Sequence, residues 1–171
     1  MLGEFCALSL SCWRLNAGHF LELIGGLPMS VKQISISLKN VPGMFLRVSE
    51  YLGYERVNIR GLSLESTSDT STVRFVADSP EKAANVLRSH GYAVTETDVI
   101  AVEVPDHPGG MQAVLRPLSA ANINVLNFYP YLGRGGSGQP IIIMVVDKTE
   151  EAIEVLKRNW VRTFGKEIYA L

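Results

Sequence analysis

The stretch Asn40-Val41-Pro42-Gly43 recurs 66 residues later as Asp106-His107-Pro108-Gly109. The same offset pairs Val48, Leu52 and Asn58 with Val114, Leu118 and Asn124. After an insertion of three residues the offset becomes 69, and it then pairs Asp78, Glu81, Ala83, Val86 and Leu87 with Asp147, Glu150, Ala152, Val155 and Leu156. A unit of this length that occurs twice indicates two small domains, because a solenoid needs at least three stacked units.

The first copy predicts the element order βαββαβ. Alternating apolar residues at 34, 36 and 38 predict a half-buried strand, and apolar residues at helical spacing predict a helix that starts near Pro42. Residues 57–64 and 72–77 predict a pair of strands. Asp78, followed three residues later by Glu81, predicts the N-cap of a second helix, and residues 92–97 predict the last strand.

The second copy repeats this order at residues 99–104, 111–121, 125–131, 141–146, 150–159 and 167–170. Pro117 lies inside its first helix, where a proline costs about 3 kcal/mol, so we expect that helix to kink or to start late. The turn at residues 133–138 contains four glycines and is either a lid over a site or a flexible hairpin tip.

A βαββαβ unit forms a four-stranded antiparallel sheet with both helices on one face, which is the ferredoxin-like fold. The sequence therefore predicts an α+β protein with two ferredoxin-like domains, at residues 29–98 and 99–171, packed side by side. Each unit is small enough to be marginally stable alone, so we expect the two to share an interface.

Composition argues against several functional classes. The chain has 171 residues, a net charge of -1, no long basic run and no stretch of eighteen apolar residues, so nothing indicates a nucleic-acid or membrane partner. Both cysteines, Cys6 and Cys12, precede the first copy, which predicts no disulfide in the duplicated core and a reducing, cytoplasmic setting.

Residues 1–28 are an N-terminal extension with no counterpart in the second copy. Their apolar stretch follows Glu4 and no basic segment, which argues against a signal peptide. Gly25-Gly26 stands just before Met29, where the purine-rich glycine codons would suit a bacterial ribosome-binding sequence. Either the natural protein begins at Met29, or residues 1–28 are an ordinary helix or tail.

Catalysis and metal binding find little support in the sequence. Of the three histidines, only His107 lies in the repeated loop, and no local motif places a serine or cysteine nucleophile near a base. The duplicated core has no cysteine and no pair of histidines at ligand spacing. We therefore expect a non-enzyme with no cofactor and no metal. Phe75, the one aromatic residue on the middle strands of the first copy, alternates with Arg74 and is expected in the core.

The repeated loop contains groups that can bind an α-amino acid. Gly43 and Gly109 allow close approach to the backbone, and a helix start attracts a carboxylate. Asn40 or Asp106 can hold an ammonium group beside it. The alternative is that Pro-Gly makes a tight turn in which the preceding Asn or Asp only caps the helix.

The pattern of a strand, Asn/Asp-x-Pro-Gly, a helix and then Val57-Asn58-Ile59-Arg60 or Ile123-Asn124-Val125-Leu126 resembles the ACT domain. Residues 31–171 resemble the small stand-alone tandem ACT proteins, which carry no catalytic domain. The resemblance implies a homodimer that binds a free amino acid where ACT domains meet and signals to a partner such as a metabolic enzyme. It nominates as ligand-binding residues Asn40, Pro42, Gly43, Asn58, Asp106, His107, Gly109 and Asn124.

This chain departs from the family pattern at Asn40, where an aspartate is usual, and at Pro117. Either copy can therefore have lost its ligand. The alternative function is a structural protein–protein interaction module without a small-molecule ligand.

Overall fold

The computed structural model describes residues 30–134 and 138–171, so the expectations about residues 1–28 lie outside the described part of the chain. The first repeat contains β1 (Val31–Lys39), α1 (Met44–Tyr54), β2 (Ile59–Ser66), β3 (Thr70–Ala77), α2 (Pro80–Ser89) and β4 (Val94–Glu103). The second continues with α3 (Gly110–Ala120), β5 (Val125–Arg134), β6 (Pro140–Val146), α4 (Thr149–Arg158), β7 (Thr163–Phe164) and a short 3-10 helix (Lys166–Ala170).

β4 belongs to both repeats. Its first six residues pair with β1, from Val94 opposite Ile36 to Val99 opposite Val31. Its last four residues pair with β6, and the same end also pairs with β7. The two strands expected at residues 92–97 and 99–104 are therefore one continuous strand, and the two repeats meet without a linker.

The sheet closes on itself. Its strand order is β1-β3-β2-β5-β6-β4-β7, and the additional pairing of β1 with β4 joins six of these strands into a ring. Contact between β2 and β5 completes the ring through one antiparallel pair, Gly61 with Tyr131. The expected side-by-side pair of domains is thus a closed six-stranded barrel with the βαββαβ order kept in each half.

Three hydrophobic cores hold the barrel together. The outer core of repeat 1 lies under α1 and α2 and includes Phe75, which is buried as expected. The outer core of repeat 2 lies under α3 and α4. A third core, the barrel core, joins the helix-free faces of both sheets, and its members are Val31, Val76, Val99, Ala101, Tyr129, Tyr131, Ile141, Ile143, Phe164 and Ile168.

Three local expectations are corrected by the structure. The strand expected at residues 167–170 is a 3-10 helix, because Ile168 turns its side chain into the barrel core while its N–H donates to the Gly165 carbonyl at 3.2 Å. The N-cap of α2 is Ser79 and not Asp78. A late start for the first helix of repeat 2 is wrong, since α3 begins at Gly110 and contains Pro117.

Candidate functional site

The two repeated loops share one backbone conformation. Gly43 has φ +84° and Gly109 has φ +86°, the left-handed region that a side chain disfavours, and each immediately precedes a helix. In the second loop the N–H of Gly110 donates to the His107 carbonyl at 2.9 Å, and the N–H of Gln112 donates to the Gly109 carbonyl at 2.9 Å. Part of the helix start is thus already bonded within the turn, which leaves it fewer donors for a carboxylate.

Asn40 of the first loop is bound to the β2–β3 hairpin. Its Nδ2 donates to the Thr67 carbonyl at 2.8 Å, and its Oδ1 accepts from Ser71 Oγ at 3.4 Å. Beside it lies a cleft of about 190 Å³ that Asn40 and Gly43 help to line. The Asn40 amide is therefore engaged in holding the loop to the hairpin.

Asp106 of the second loop is held through its backbone. Its N–H donates to Gln139 Oε1 at 2.8 Å, and its side chain is exposed. Asp106 and His107 line a larger cleft, of about 310 Å³, which we call the repeat 2 cleft. His107 Nδ1 lies 3.0 Å from the Pro108 carbonyl. A carboxylate and an imidazole thus border a cavity near the lower end of the size range for small-molecule sites, about 300 to 1,000 Å³.

The turn after α4 also lines the repeat 2 cleft. Trp160 has φ 61° and is 97% exposed, so an indole stands in solvent on a strained backbone. Arg162 Nη1 lies 3.5 Å from Glu103 Oε2, and its guanidinium lies 4.8 Å from the centre of the Phe164 ring. The remaining lining residues are Pro105, Ala113, Val114, Gln139, Asn159 and Val161. Glu103, Trp160 and Arg162 are not among the residues nominated from the sequence.

Asn58 and Asn124 are held by aspartates in the same way in both repeats. The Asn58 N–H donates to Asp78 Oδ1 at 3.1 Å, and the Asn124 N–H donates to Asp147 Oδ1 at 3.0 Å. Each asparagine follows the far end of an 11-residue helix, which is about 16 Å long, from the Pro-Gly loop of its own repeat. One repeat alone therefore does not bring its loop and its asparagine together.

The strand pairing at the junction between repeats indicates which of these residues lie on the same side of it. Because Gly61 pairs antiparallel with Tyr131, Asn58 lies toward the end of β5. The hairpin after β5 contacts the second loop through the bond between Asp106 and Gln139. Asn58 thus lies on the same side of the junction as Asp106, His107 and Gly109. By the same argument Asn124 lies on the side of Asn40, Pro42 and Gly43.

A polar connection crosses the barrel interior between the repeats. Tyr129 OH donates to Gln33 Oε1 at 2.9 Å, and Gln33 Nε2 donates to Ser35 Oγ at 3.2 Å. Burial raises the pKa of the Tyr129 phenol, an effect that the positive charge of Arg74 opposes. Arg74 Nη1 in turn lies 2.9 Å from Glu65 Oε2. This interior is filled by side chains and joins the two copies.

Within the described residues, no group of three or more histidine, cysteine, aspartate and glutamate side chains is placed to hold a metal ion. None of the helices in that part of the chain has the length and apolar character needed to span a membrane.

Comparison with known proteins was made on the sequence and on the fold. The family model described as "ACT domain pair" matches residues 29–167. The chain belongs to this family. ACT domain pairs are regulatory, ligand-binding modules. A search of curated proteins found no match.

Three solved structures are similar to this chain in fold. A protein from Bacteroides thetaiotaomicron is 29% identical with a TM-score of 0.77, and the match covers 84% of this chain and 98% of that one. The ligand-free regulatory subunit of aspartate kinase from Thermus thermophilus is 12% identical with a TM-score of 0.57, covering 79% and 96%. The corresponding subunit from Thermus flavus is 12% identical with a TM-score of 0.52, covering 79% and 95%. At 12% identity the two subunits share the fold alone.

Proposed function

We propose that this ACT domain pair is a non-catalytic regulatory protein that binds a free amino acid beside a Pro-Gly loop and passes the bound state to a partner. The proposed ligand-binding residues are those nominated from the sequence, divided between the two sides of the junction. Asp106, His107, Gly109 and Asn58 serve one side, and Asn40, Pro42, Gly43 and Asn124 serve the other. The proposed setting is the cytoplasm, the proposed assembly is a homodimer, and the proposed partner is a metabolic enzyme.

The observation that carries this proposal is the position of Asp106 and His107 on the repeat 2 cleft. Both residues belong to the loop that the two copies share, and both border a cavity large enough for a small metabolite. Family membership supports the regulatory part of the proposal, since ACT domains act as regulatory modules. Ligand binding would shift the population between packings of the domains, and no chemical step is needed.

Thermal unfolding with each of the twenty amino acids, followed by calorimetry on those that stabilise, tests the proposal. A ligand at one hundred times its Kd stabilises a protein by about 2.7 kcal/mol, which is readily seen as a rise in melting temperature. We expect at least one amino acid to give such a rise and its α-carboxamide to give a smaller one. Asp106→Asn should weaken this binding, because the ammonium group loses its anionic partner. Absence of both heat and stabilisation at millimolar concentration for all twenty would contradict the proposal.

A second candidate function is a protein–protein interaction module. β5 presents the exposed apolar side chains of Leu126, Phe128 and Leu132, and beyond the single pair with β2 its edge is open to a partner. This function predicts a change of oligomeric state for Phe128→Ser and no response to amino acids. Sedimentation of wild type and Phe128→Ser tests the interface. Because the proposed sensor is also a homodimer, the response to amino acids is the measurement that separates the two functions.

A further inference from the structure

The repeat 2 cleft has no chemical counterpart in repeat 1. The structure fixes the correspondence between the repeats, because Gly91 and Trp160 occupy the same positive-φ position after α2 and α4. The following N–H groups, of Tyr92 and Val161, likewise donate to Leu87 and Leu156. Cleft residues can therefore be compared with their partners position by position.

The charged residues of the cleft are all replaced in repeat 1. Glu103 corresponds to Ser37, Asp106 to Asn40 and Arg162 to Ala93. The first repeat therefore offers neither an anion for an ammonium group nor a cation for a carboxylate at these positions. The amide of Asn40, the counterpart of Asp106, is bonded to Thr67 and Ser71.

Bulk also differs between the repeats. In repeat 1 the Tyr51 ring stacks on His90 with centroids 3.8 Å apart, and the Tyr92 ring lies 6.4 Å from Tyr51. The corresponding residues of repeat 2 are the smaller Pro117, Asn159 and Val161, and Ala113 stands where repeat 1 has Arg47. At these positions repeat 2 therefore carries smaller side chains than repeat 1.

We infer that the repeat 2 cleft binds one α-amino acid per chain as its zwitterion, with Asp106 receiving the ammonium group and Arg162 the carboxylate. This inference rests on the proposed function and assigns it to one repeat. Arg162 makes a 3.5 Å contact with Glu103 through one nitrogen, and a guanidinium has five N–H donors, so others remain for a ligand. Arg162 supplies positive charge for the ligand's carboxylate, which the partly bonded N-terminus of α3 provides only weakly.

The ligand's side chain is apolar or aromatic. Val114 and Val161 are apolar residues of the cleft lining, and Trp160, which also lines the cleft, is exposed. Glu103 is paired with Arg162 and is mostly buried, so Asp106 is the exposed carboxylate of the cleft. An indole that stands in water is available to cover an apolar side chain and to gain from its burial.

The first experiment separates the carboxylate anchor from general effects on folding. Calorimetry with wild type identifies the tightest of the twenty amino acids, which is then compared with its α-carboxamide. We expect wild type to prefer the acid by about tenfold or more, the scale of one charge-assisted hydrogen bond. Arg162→Gln should bind the acid and the amide equally. Arg116→Gln removes an exposed arginine of the same repeat that does not line the cleft, and it should keep the wild-type preference.

The second experiment fills the cleft with the residue that repeat 1 carries. Ala113→Arg introduces the counterpart of Arg47 and should abolish binding, whereas Ala120→Arg adds the same side chain at the far end of α3 and should not. Wild type should bind with a stoichiometry of one per chain. Melting temperature without ligand verifies that each variant is folded.

The outcomes distinguish the inference from the proposal beneath it. If no amino acid binds wild type, the proposed function itself fails. If wild type binds but takes two ligands per chain, if folded Ala113→Arg binds normally, or if Arg162→Gln still prefers the acid, the sensor proposal stands and the assignment to the repeat 2 cleft is wrong.

Discussion

Tyr129→Phe should destabilise the protein by removing one hydroxyl from the barrel interior. Tyr129 is 3% exposed and Gln33 is 2% exposed, and their hydrogen bond of 2.9 Å joins the two repeats. Without the hydroxyl, Gln33 Oε1 stays buried and loses its donor, which costs about 1 to 3 kcal/mol. For a chain of this size each kcal/mol lowers the melting temperature by about 2 to 4 °C.

A double-mutant cycle with Gln33→Leu measures the interaction itself. Each single variant leaves one buried polar group without its partner, while the double variant leaves an apolar pair. Chemical denaturation of the four proteins should therefore show the double variant less destabilised than the sum of the singles, by about 0.5 kcal/mol or more. Additive effects, or a Tyr129→Phe protein as stable as wild type, would refute the argument that this bond couples the repeats.

The same substitution changes the alkaline limit of stability. Burial raises the pKa of Tyr129 above its ordinary value of 10.0, so the folded state keeps a proton that the unfolded state loses. Stability is then fully present below about pH 10 and falls as the pH rises further, by about 1.4 kcal/mol per pH unit for one such group. Tyr129→Phe should show a shallower decline. Equal slopes for the two proteins above pH 10 would contradict this account.

Two further predictions concern the backbone. Gly110→Ala should lower the free energy of unfolding by about 1 to 3 kcal/mol, because a Cβ there overlaps the Pro105 carbonyl oxygen. Gly53→Ala on α1 meets nothing within 4 Å and should be neutral or stabilising. Thermal unfolding of both variants checks this, and equal effects would count against it. Dividing the chain after Asp98 should give halves that do not fold alone, since the cut splits β4 and opens the barrel core; two halves that unfold cooperatively as monomers in circular dichroism would count against it.

The helices and strands could be predicted from the sequence more readily than the closure of the sheet into a barrel. Periodicity in each copy predicted the four helices and the order of strands, because those patterns are local. Closure depends on contacts far apart in the chain. It passes through Gly61, where a Cβ would stand 3.2 Å from the Pro130 carbonyl oxygen, so the absence of a side chain lets β5 approach. The error at residues 167–170 has a similar origin. Ile168 is buried in the barrel core, and the local sequence at the end of the chain does not predict that core.

The candidate site was predictable only in part for the same reason. Asp106 and His107 stood out because the loop is repeated. Trp160, Arg162 and Glu103 differ from their counterparts Gly91, Ala93 and Ser37, and the sequence alone does not show that these three residues line the same cleft. The repeat identifies residues that the two copies share, whereas most residues of the cleft differ between the copies.

Closure of the barrel also limits where function can reside. In an open ferredoxin-like sheet, the helix-free face is available to a ligand or a partner. Here both such faces meet in the barrel core, and their aromatic and aliphatic side chains are buried there. A binding surface must then lie at the loops, at the outer side of β5 or at the helices. Since both copies are needed to close the barrel, their cores are constrained together, while the loops and turns outside it are free to differ. One repeat can therefore keep a charged cleft while the other carries an aromatic stack at corresponding positions of the chain, at little cost to the fold.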